Sequence, residues 1–248
     1  AQDHFDLARS FISAYLERTG DYQAVPILRW YLVYRAMVRA KVAAFRSQQP
    51  GQSQQAQETE RRESLDHVKL AARLAESAPP RLWITHGVSG SGKTTGSESL
   101  VQLHGAIRLR SDVERKRLFG LDPSQRPEGG LQQRVYSSQA TEQTYDRLKE
   151  LAAALLRQGE SVIVDATFLR QRDRGRFQDL AVAEGTGFAI LAFSADRDEL
   201  ERRIAARSRQ GEDASDANLH VLHSQLETME PLSEAELDLV EGPADYSV

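Results

Sequence analysis

Between Phe5 and Thr19 the apolar residues Leu7, Ala8, Phe11, Ile12, Tyr15 and Leu16 recur at three- and four-residue spacing, which predicts a helix closed by Gly20. A second helix is predicted over 27–45, where Pro26 suits the first turn and Tyr31, Tyr34, Val38, Val42 and Phe45 share one side. Arg35, Arg39, Lys41 and Arg46 on the same stretch read as solvated cations opposite a packed face, rather than as a membrane or nucleic-acid surface. Residues 47–60 are rich in glutamine and almost devoid of apolar positions, the composition of a flexible linker. A third helix over 61–77 stops at Pro79-Pro80, and there the period of the pattern changes.

Beyond Pro80, short apolar runs alternate with helical stripes. Strands are predicted at 81–86, 106–109, 161–166 and 187–193, with a weaker fifth at 237–240. The longest intervening helix places Leu148, Leu151, Ala152, Leu155 and Leu156 on one face ahead of Gly159. This alternation predicts an α/β fold: a parallel sheet of the phosphate-loop NTPase type with helices on both faces, preceded by an all-helical N-terminal segment. The expected organisation is a helical segment at 1–47, a linker at 48–62 and a phosphate-loop domain at 63–248. Ligands in such sheets sit at the carboxyl ends of the strands.

Composition narrows the class. With 248 residues, 40% hydrophobic and 27% charged, the chain can form one large or two small globular domains. No apolar run approaches the ~20 residues needed to span a bilayer, and the first residues lack the layout of a signal peptide, so no membrane partner and a cytoplasmic location are expected. The chain begins without methionine and reads as a processed or excised fragment. The absence of cysteine excludes disulfides, thiolate metal sites and thiol nucleophiles. The net charge is −4, and 212–248 contains neither Lys nor Arg, so long nucleic acid is not an expected partner. The six histidines are scattered, and His220 with His223 does not make a metal site.

Residues 87–94, Gly-Val-Ser-Gly-Ser-Gly-Lys-Thr, fill every fixed position of the pattern G-x-x-x-x-G-K-[ST], with a further glycine at Gly90. Glycines let the backbone turn its amides inward around an anion at the positive end of a helix. A predicted strand precedes the loop and a predicted helix follows it, the context that distinguishes this motif from a chance glycine-rich turn. Gly87, Ser89, Gly90, Ser91, Gly92, Lys93, Thr94 and Thr95 are therefore the expected contacts of ATP, with Lys93 on the β- and γ-phosphates and the Thr94 hydroxyl on Mg²⁺.

Three further clusters can carry chemistry on the same rim. After the second strand, Asp112 can accept the proton of an acceptor hydroxyl and Arg115, one turn later, can orient that acceptor through an anionic group; capping of the following helix by Ser111 or Asp112 is the structural alternative. Asp165 ends the apolar strand Ser161-Val-Ile-Val, where an acid supports Mg²⁺, binds the acceptor or holds Arg115. Arg203 and Arg207, four residues apart on a predicted helix, can neutralise charge on the transferred group; a solvated face paired with Glu199 and Glu201 is the competing reading.

The loop GVSGSGKT, the segment RSDVER, the strand VIVDAT and the arginine-rich stretch around Arg203 resemble the small phosphate-loop kinases that include polynucleotide 5′-kinases and zeta toxins. Residues 81–232 also resemble the kinase domain found behind an aminoglycoside-phosphotransferase-like domain in bacteria, and the first 46 residues resemble the last helices of that preceding domain. The catalytic segment of an aminoglycoside kinase is absent, so this resemblance implies a remnant attached to a larger chain. It further implies Lys93 and Thr94 on ATP and Mg²⁺, Asp112 as base, Arg115 and Asp165 near the acceptor, and Arg203 and Arg207 in a lid. The acidic C-terminal segment departs from a nucleic-acid kinase. The expected activity is accordingly transfer of the γ-phosphoryl group to a hydroxyl of a small molecule; a 5′-hydroxyl polynucleotide kinase and a nucleotide-binding regulatory module are the alternatives.

Overall fold

In the computed structural model, residues 4–76, 78–210 and 218–242 are described, with the side chains of 207–210 outside that set. The elements are α1 (Phe5–Thr19), α2 (Val25–Arg46), α3 (Gln54–Ala75), β1 (Arg81–His86), α4 (Lys93–His104), β2 (Ile107–Arg110), α5 (Ser111–Leu118), α6 (Gly129–Val135), α7 (Ser138–Arg157), β3 (Val162–Asp165), α8 (Gln171–Ala183), β4 (Gly187–Ala192), α9 (Arg197–Gln210), α10 (Leu219–Thr228), α11 (Glu234–Leu237) and β5 (Val240–Glu241). They divide into two compact units. One comprises Asp21–Ala78; the other joins His4–Gly20 to Pro79–Val248.

The first unit is a hairpin of α2 and α3. Arg29 donates to the carbonyls of Leu74 and Glu76, and Ser64 donates to the Ala40 carbonyl, so the helices run in opposite directions. The expected linker is shorter than predicted. Ser53 caps α3 by accepting from the Ala56 N–H at 3.2 Å, and the Gln- and Glu-rich run that follows is helical from Gln54 onward. Glutamine and glutamate are good helix formers, so a stretch poor in apolar residues can still be an exposed first half of a helix.

The second unit is built on a sheet of order β2-β3-β1-β4-β5 with parallel pairing throughout. Its register aligns Leu82 with Val162 and Phe188, and Arg110 with Asp165. Strand alternation sends Trp83, Ile163, Ala189 and Leu191 to one face, where they pack with Leu100 and Val101 of α4. The alternate residues Leu82, Ile84, Val162 and Val164 are fully buried on the opposite side, which α7 and α8 cover. Each such side chain contributes about 1.5–3 kcal/mol on burial. The chain is thus α/β, of the phosphate-loop NTPase type, as its pattern predicts.

Two expected boundaries differ, the first at α3, which is expected to open the phosphate-loop domain at 63–248 and instead belongs with α2. The helix α1 packs on α4 and β2 and belongs with the sheet, not with the hairpin. Arg9 Nη1 ties it to the last turn of α4 through the carbonyls of Gln102, at 2.6 Å, and Leu103, at 2.7 Å. An isolated stripe of apolar residues identifies a helix but not the surface it joins. Among the described residues no helix is long and apolar enough to cross a membrane.

Candidate active site

β1 delivers the chain to the glycine loop, and Gly92 caps α4 in the left-handed conformation. Gly87, at φ 144°, is where side-chain absence is most needed: a Cβ there would lie 2.3 Å from the carbonyl oxygen of Phe193. Its amide donates to the Thr167 carbonyl at 3.1 Å, locking the loop to the end of β3. The loop opens on a cleft of about 1320 Å³ at the carboxyl ends of the strands, where connections from β1 and β3 diverge to opposite sides of the sheet.

Ser89, Gly90, Gly92, Lys93, Thr94 and Thr95 line this cleft together with Asp112, Arg115, Asp165 and Arg203. Gly87 and Ser91, also expected as nucleotide contacts, sit beneath the loop: Gly87 against Phe193, and Ser91 buried with its amide donating to Val88. The Lys93 ammonium reaches the Val88 carbonyl at 2.8 Å, on the cradle itself. Thr94 Oγ1 donates to Asp165 Oδ2 at 2.7 Å. These two oxygen groups, one hydroxyl and one carboxylate at the mouth of an anion cradle, are the donor set a hard cation takes when phosphate oxygens complete its shell. Among the described residues no three His, Cys, Asp or Glu side chains cluster to hold a metal by themselves.

Asp165 does not hold Arg115. Its neighbour is Arg110, whose Nε lies 3.9 Å from Oδ2. Arg115 is buried, donates to the Val135 carbonyl at 3.2 Å and to Thr141 Oγ1 at 3.0 Å, and lies 5.6 Å from the centre of the Tyr136 ring. Its Nε has no hydrogen-bond partner among the described residues. Asp112 stands in the first turn of α5, but the N-cap is Arg110 and no side chain caps this helix. The Asp112 carboxylate has no hydrogen-bond or ion-pair partner among the described residues, so the capping alternative does not account for it.

On the other wall, Arg203 satisfies parts of both readings of its helix. Its Nε donates to Glu199 at 2.6 Å, and its Nη1 donates to the Gly90 carbonyl at 3.3 Å, on the phosphate loop. Arg207 continues α9, but its side chain lies outside the described residues. The α9–α10 pair rests on the loop through Val88, Leu200, Ile204 and Leu222.

Several site residues carry no motif signal. Gln225 of α10 accepts from the Ser89 amide at 2.8 Å, joining the pair of helices to the loop. Phe193 shapes the loop from the end of β4, and a Cβ on Gly96 would meet its ring at 2.2 Å. Arg110 could have been found, because it shares a strand face with Arg108 and precedes Asp112 by two residues.

A buried polar group supports the cleft from behind. Phe168, fully buried at φ 46°, sits edge-on to Tyr145 and Phe177, and its carbonyl accepts from His86 Nδ1 and Arg174 Nη1. A non-glycine residue held there stores about 1–3 kcal/mol, which the surrounding contacts must offset. Burial lowers the His86 imidazole below its ordinary 6.5; the Phe168 bond and Glu236 oppose this, and the Arg174 and Lys93 charges add to it. Burial likewise raises the Tyr145 phenol above 10.0 against its hydrogen bonds at Thr167 and Phe168, so it stays neutral.

The fold and the site define a phosphate-loop α/β protein. The chain belongs to the AAA domain family, whose model matches residues 82–232. An uncharacterized protein of Mycobacterium tuberculosis H37Rv is 30% identical over 210 residues, 85% of this chain, and the chain spans about 41% of that relative's length. Similar solved structures include a sugar kinase of Janibacter sp. HTCC2649 (20% identical, 68% of this chain and 90% of that one, TM-score 0.48). Others are a gluconokinase of Sinorhizobium meliloti 1021 (21%, 67% and 83%, TM-score 0.44) and the Mycobacterium tuberculosis APS kinase with AMPPNP and APS (20%, 68% and 90%, TM-score 0.45).

Proposed function

We propose that this protein is an ATP- and Mg²⁺-dependent kinase that phosphorylates a hydroxyl of a small molecule. The observation that carries the reading is the unengaged Asp112 carboxylate in the same cleft as Lys93, Thr94 and Asp165. A sensor of nucleotide has no use for a free carboxylate there, whereas a phosphoryl transfer needs a base within reach of the acceptor.

In this reading the loop amides and Lys93 bind the β- and γ-phosphates, and Arg203 approaches them from α9. Thr94 and Asp165 would hold a magnesium ion, which would supply charge neutralisation to the triphosphate. Asp112 takes the proton of the acceptor hydroxyl as its oxygen bonds to the γ-phosphorus and the bond to the β–γ bridging oxygen breaks, leaving ADP. Arg115, braced by Thr141 and Tyr136, faces an anionic group of the acceptor. The protein's work is positioning and neutralisation. The longer relatives leave room for a preceding phosphotransferase-like domain, which we include in the proposal for the whole protein.

The test is Asp112→Asn, assayed with ATP against sugars, nucleotide-sugars and short oligonucleotides. ATP affinity is expected to persist while acceptor phosphorylation falls about 10²–10⁴-fold. Transfer at the unmodified rate, or no acceptor that consumes ATP above water hydrolysis, overturns the reading; the second outcome favours a nucleotide-binding regulatory module.

A further inference from the structure

The helix α1 reaches the cation site through one carboxylate. Strand β2 places Arg108 and Arg110 on the same face, two residues apart, and both meet Glu17 from the last turn of α1. Glu17 Oε1 accepts from Arg108 Nε at 2.9 Å and lies 2.8 Å from its Nη2, while Oε2 is 3.6 Å from Arg110 Nη1. Each arginine then continues to a different half of the site. Arg108 Nη1 donates to the Thr94 carbonyl at 3.0 Å and pairs with Glu98 at 3.0 Å. Arg110 turns its Nε to Asp165, 3.9 Å away. The side chains of Glu17, Arg108, Arg110 and Asp165 are only 15%, 9%, 14% and 5% exposed, so water screens these charges weakly.

A guanidinium beside Asp165 competes with a divalent cation for the same oxygen that Thr94 engages. Glu17, which does not line the cleft, opposes that competition, because it offers Arg110 a second carboxylate. We propose that Glu17 is a positioning residue for the cation site: it shares Arg110 with Asp165 and, through Arg108, fixes the backbone of Thr94. This inference rests on the reading of Thr94 and Asp165 as the Mg²⁺ site. It makes α1, which lies outside the stretch matched by the family model, part of the site's machinery.

Titration calorimetry of the 248-residue chain with ATP, run with and without Mg²⁺, tests it. In the unmodified protein Mg²⁺ strengthens ATP binding. In Glu17→Gln, which keeps the side chain's shape but removes its charge, that strengthening is expected to fall roughly 10–100-fold while metal-free ATP affinity is retained. The double variant Glu17→Gln/Arg110→Gln should recover the Mg²⁺ effect, and Arg110→Gln alone should enlarge it. A purely structural role for Glu17 would lower the melting temperature, weaken both titrations alike and show no recovery; that pattern overturns the proposal, as does an unchanged Mg²⁺ effect in Glu17→Gln. Should Glu17→Gln fail to fold, Arg110→Gln decides, and no gain in the Mg²⁺ effect overturns it. Failure of the unmodified chain to bind ATP with Mg²⁺ overturns the kinase reading and this inference together, whereas normal binding with an indifferent Glu17 variant overturns the inference alone.

Discussion

Arg174 holds Glu236 with two parallel N–H groups, Nε to Oε1 at 2.7 Å and Nη2 to Oε2 at 3.0 Å, although their side chains are only 1% and 8% exposed. The remaining polar capacity is spent nearby. Arg174 also donates to the carbonyls of Phe168, Glu230 and Pro231, and Glu236 accepts from the amide and hydroxyl of Ser233 in a capping box. One arginine of α8 thereby fastens the acidic C-terminal segment to the loop behind Asp165. Because breaking a buried pair strands the surviving charge, Arg174→Ala is expected to cost about 3–5 kcal/mol of stability, read as a lower urea midpoint. The double variant Arg174→Met/Glu236→Leu should recover part of it, since an apolar pair leaves no charge behind.

The same group sets an acid limit. Burial pushes the Glu236 carboxyl up, but the Arg174 and Ser233 bonds pull it further down, to a net value below the ordinary 4.5. Its stabilisation is thus present above that value and is lost as pH falls through the folded pKa. His86, lowered from 6.5 by burial, acts earlier: the unfolded chain takes up its proton first, so stability declines from about pH 6.5 downward until the folded pKa is reached. Urea unfolding at a series of pH values should show both declines, and His86→Gln, able to donate to Phe168, should lose the upper one.

At the loop, Gly87→Ala and Gly96→Ala separate two kinds of crowding. The first sets a Cβ against a backbone oxygen that cannot yield and at a φ that disfavours it, so loss of ATP binding by calorimetry is expected. The second meets only the Phe193 ring, which can shift, at a cost of roughly 1–3 kcal/mol in stability with binding weakened but present.

Lys93→Ala should abolish transfer and weaken ATP binding, because the phosphates lose the cation closest to the cradle. Arg203→Ala should lower kcat more than ATP affinity, since a contact strengthened as charge develops acts mainly in the transition state. Full turnover in the Arg203 variant would mean that its bonds to Glu199 and to the Gly90 carbonyl are the whole of its role.

The strands and their carboxyl-end site were legible because each rests on local information: β1, β4 and α1 fall where the periodicity places them, and the loop declares itself in eight consecutive residues. The start of α3 was hidden by composition, since glutamine-rich sequence suits both a linker and an exposed helix. Gln225 and Phe193 were illegible for a different reason, because each acts through a contact made across more than ninety residues of chain. Glu17 combines both difficulties, standing among polar residues of a helix whose own pattern gives no hint that its inner side meets Arg108.

The unit that bears the cleft is not contiguous in the chain: it is assembled from His4–Gly20 and Pro79–Val248, with the α2–α3 hairpin interposed between them. In the grammar of the polypeptide the hairpin is a parenthesis. Trimming a clone to begin at β1 would keep every residue of the motif yet discard the carboxylate that keeps Arg108 and Arg110 company, whereas excising Asp21–Ala78 and splicing across the gap would keep it. The boundary for any minimal version of this protein is therefore drawn by ionic partnership and not by the reach of the recognisable motif.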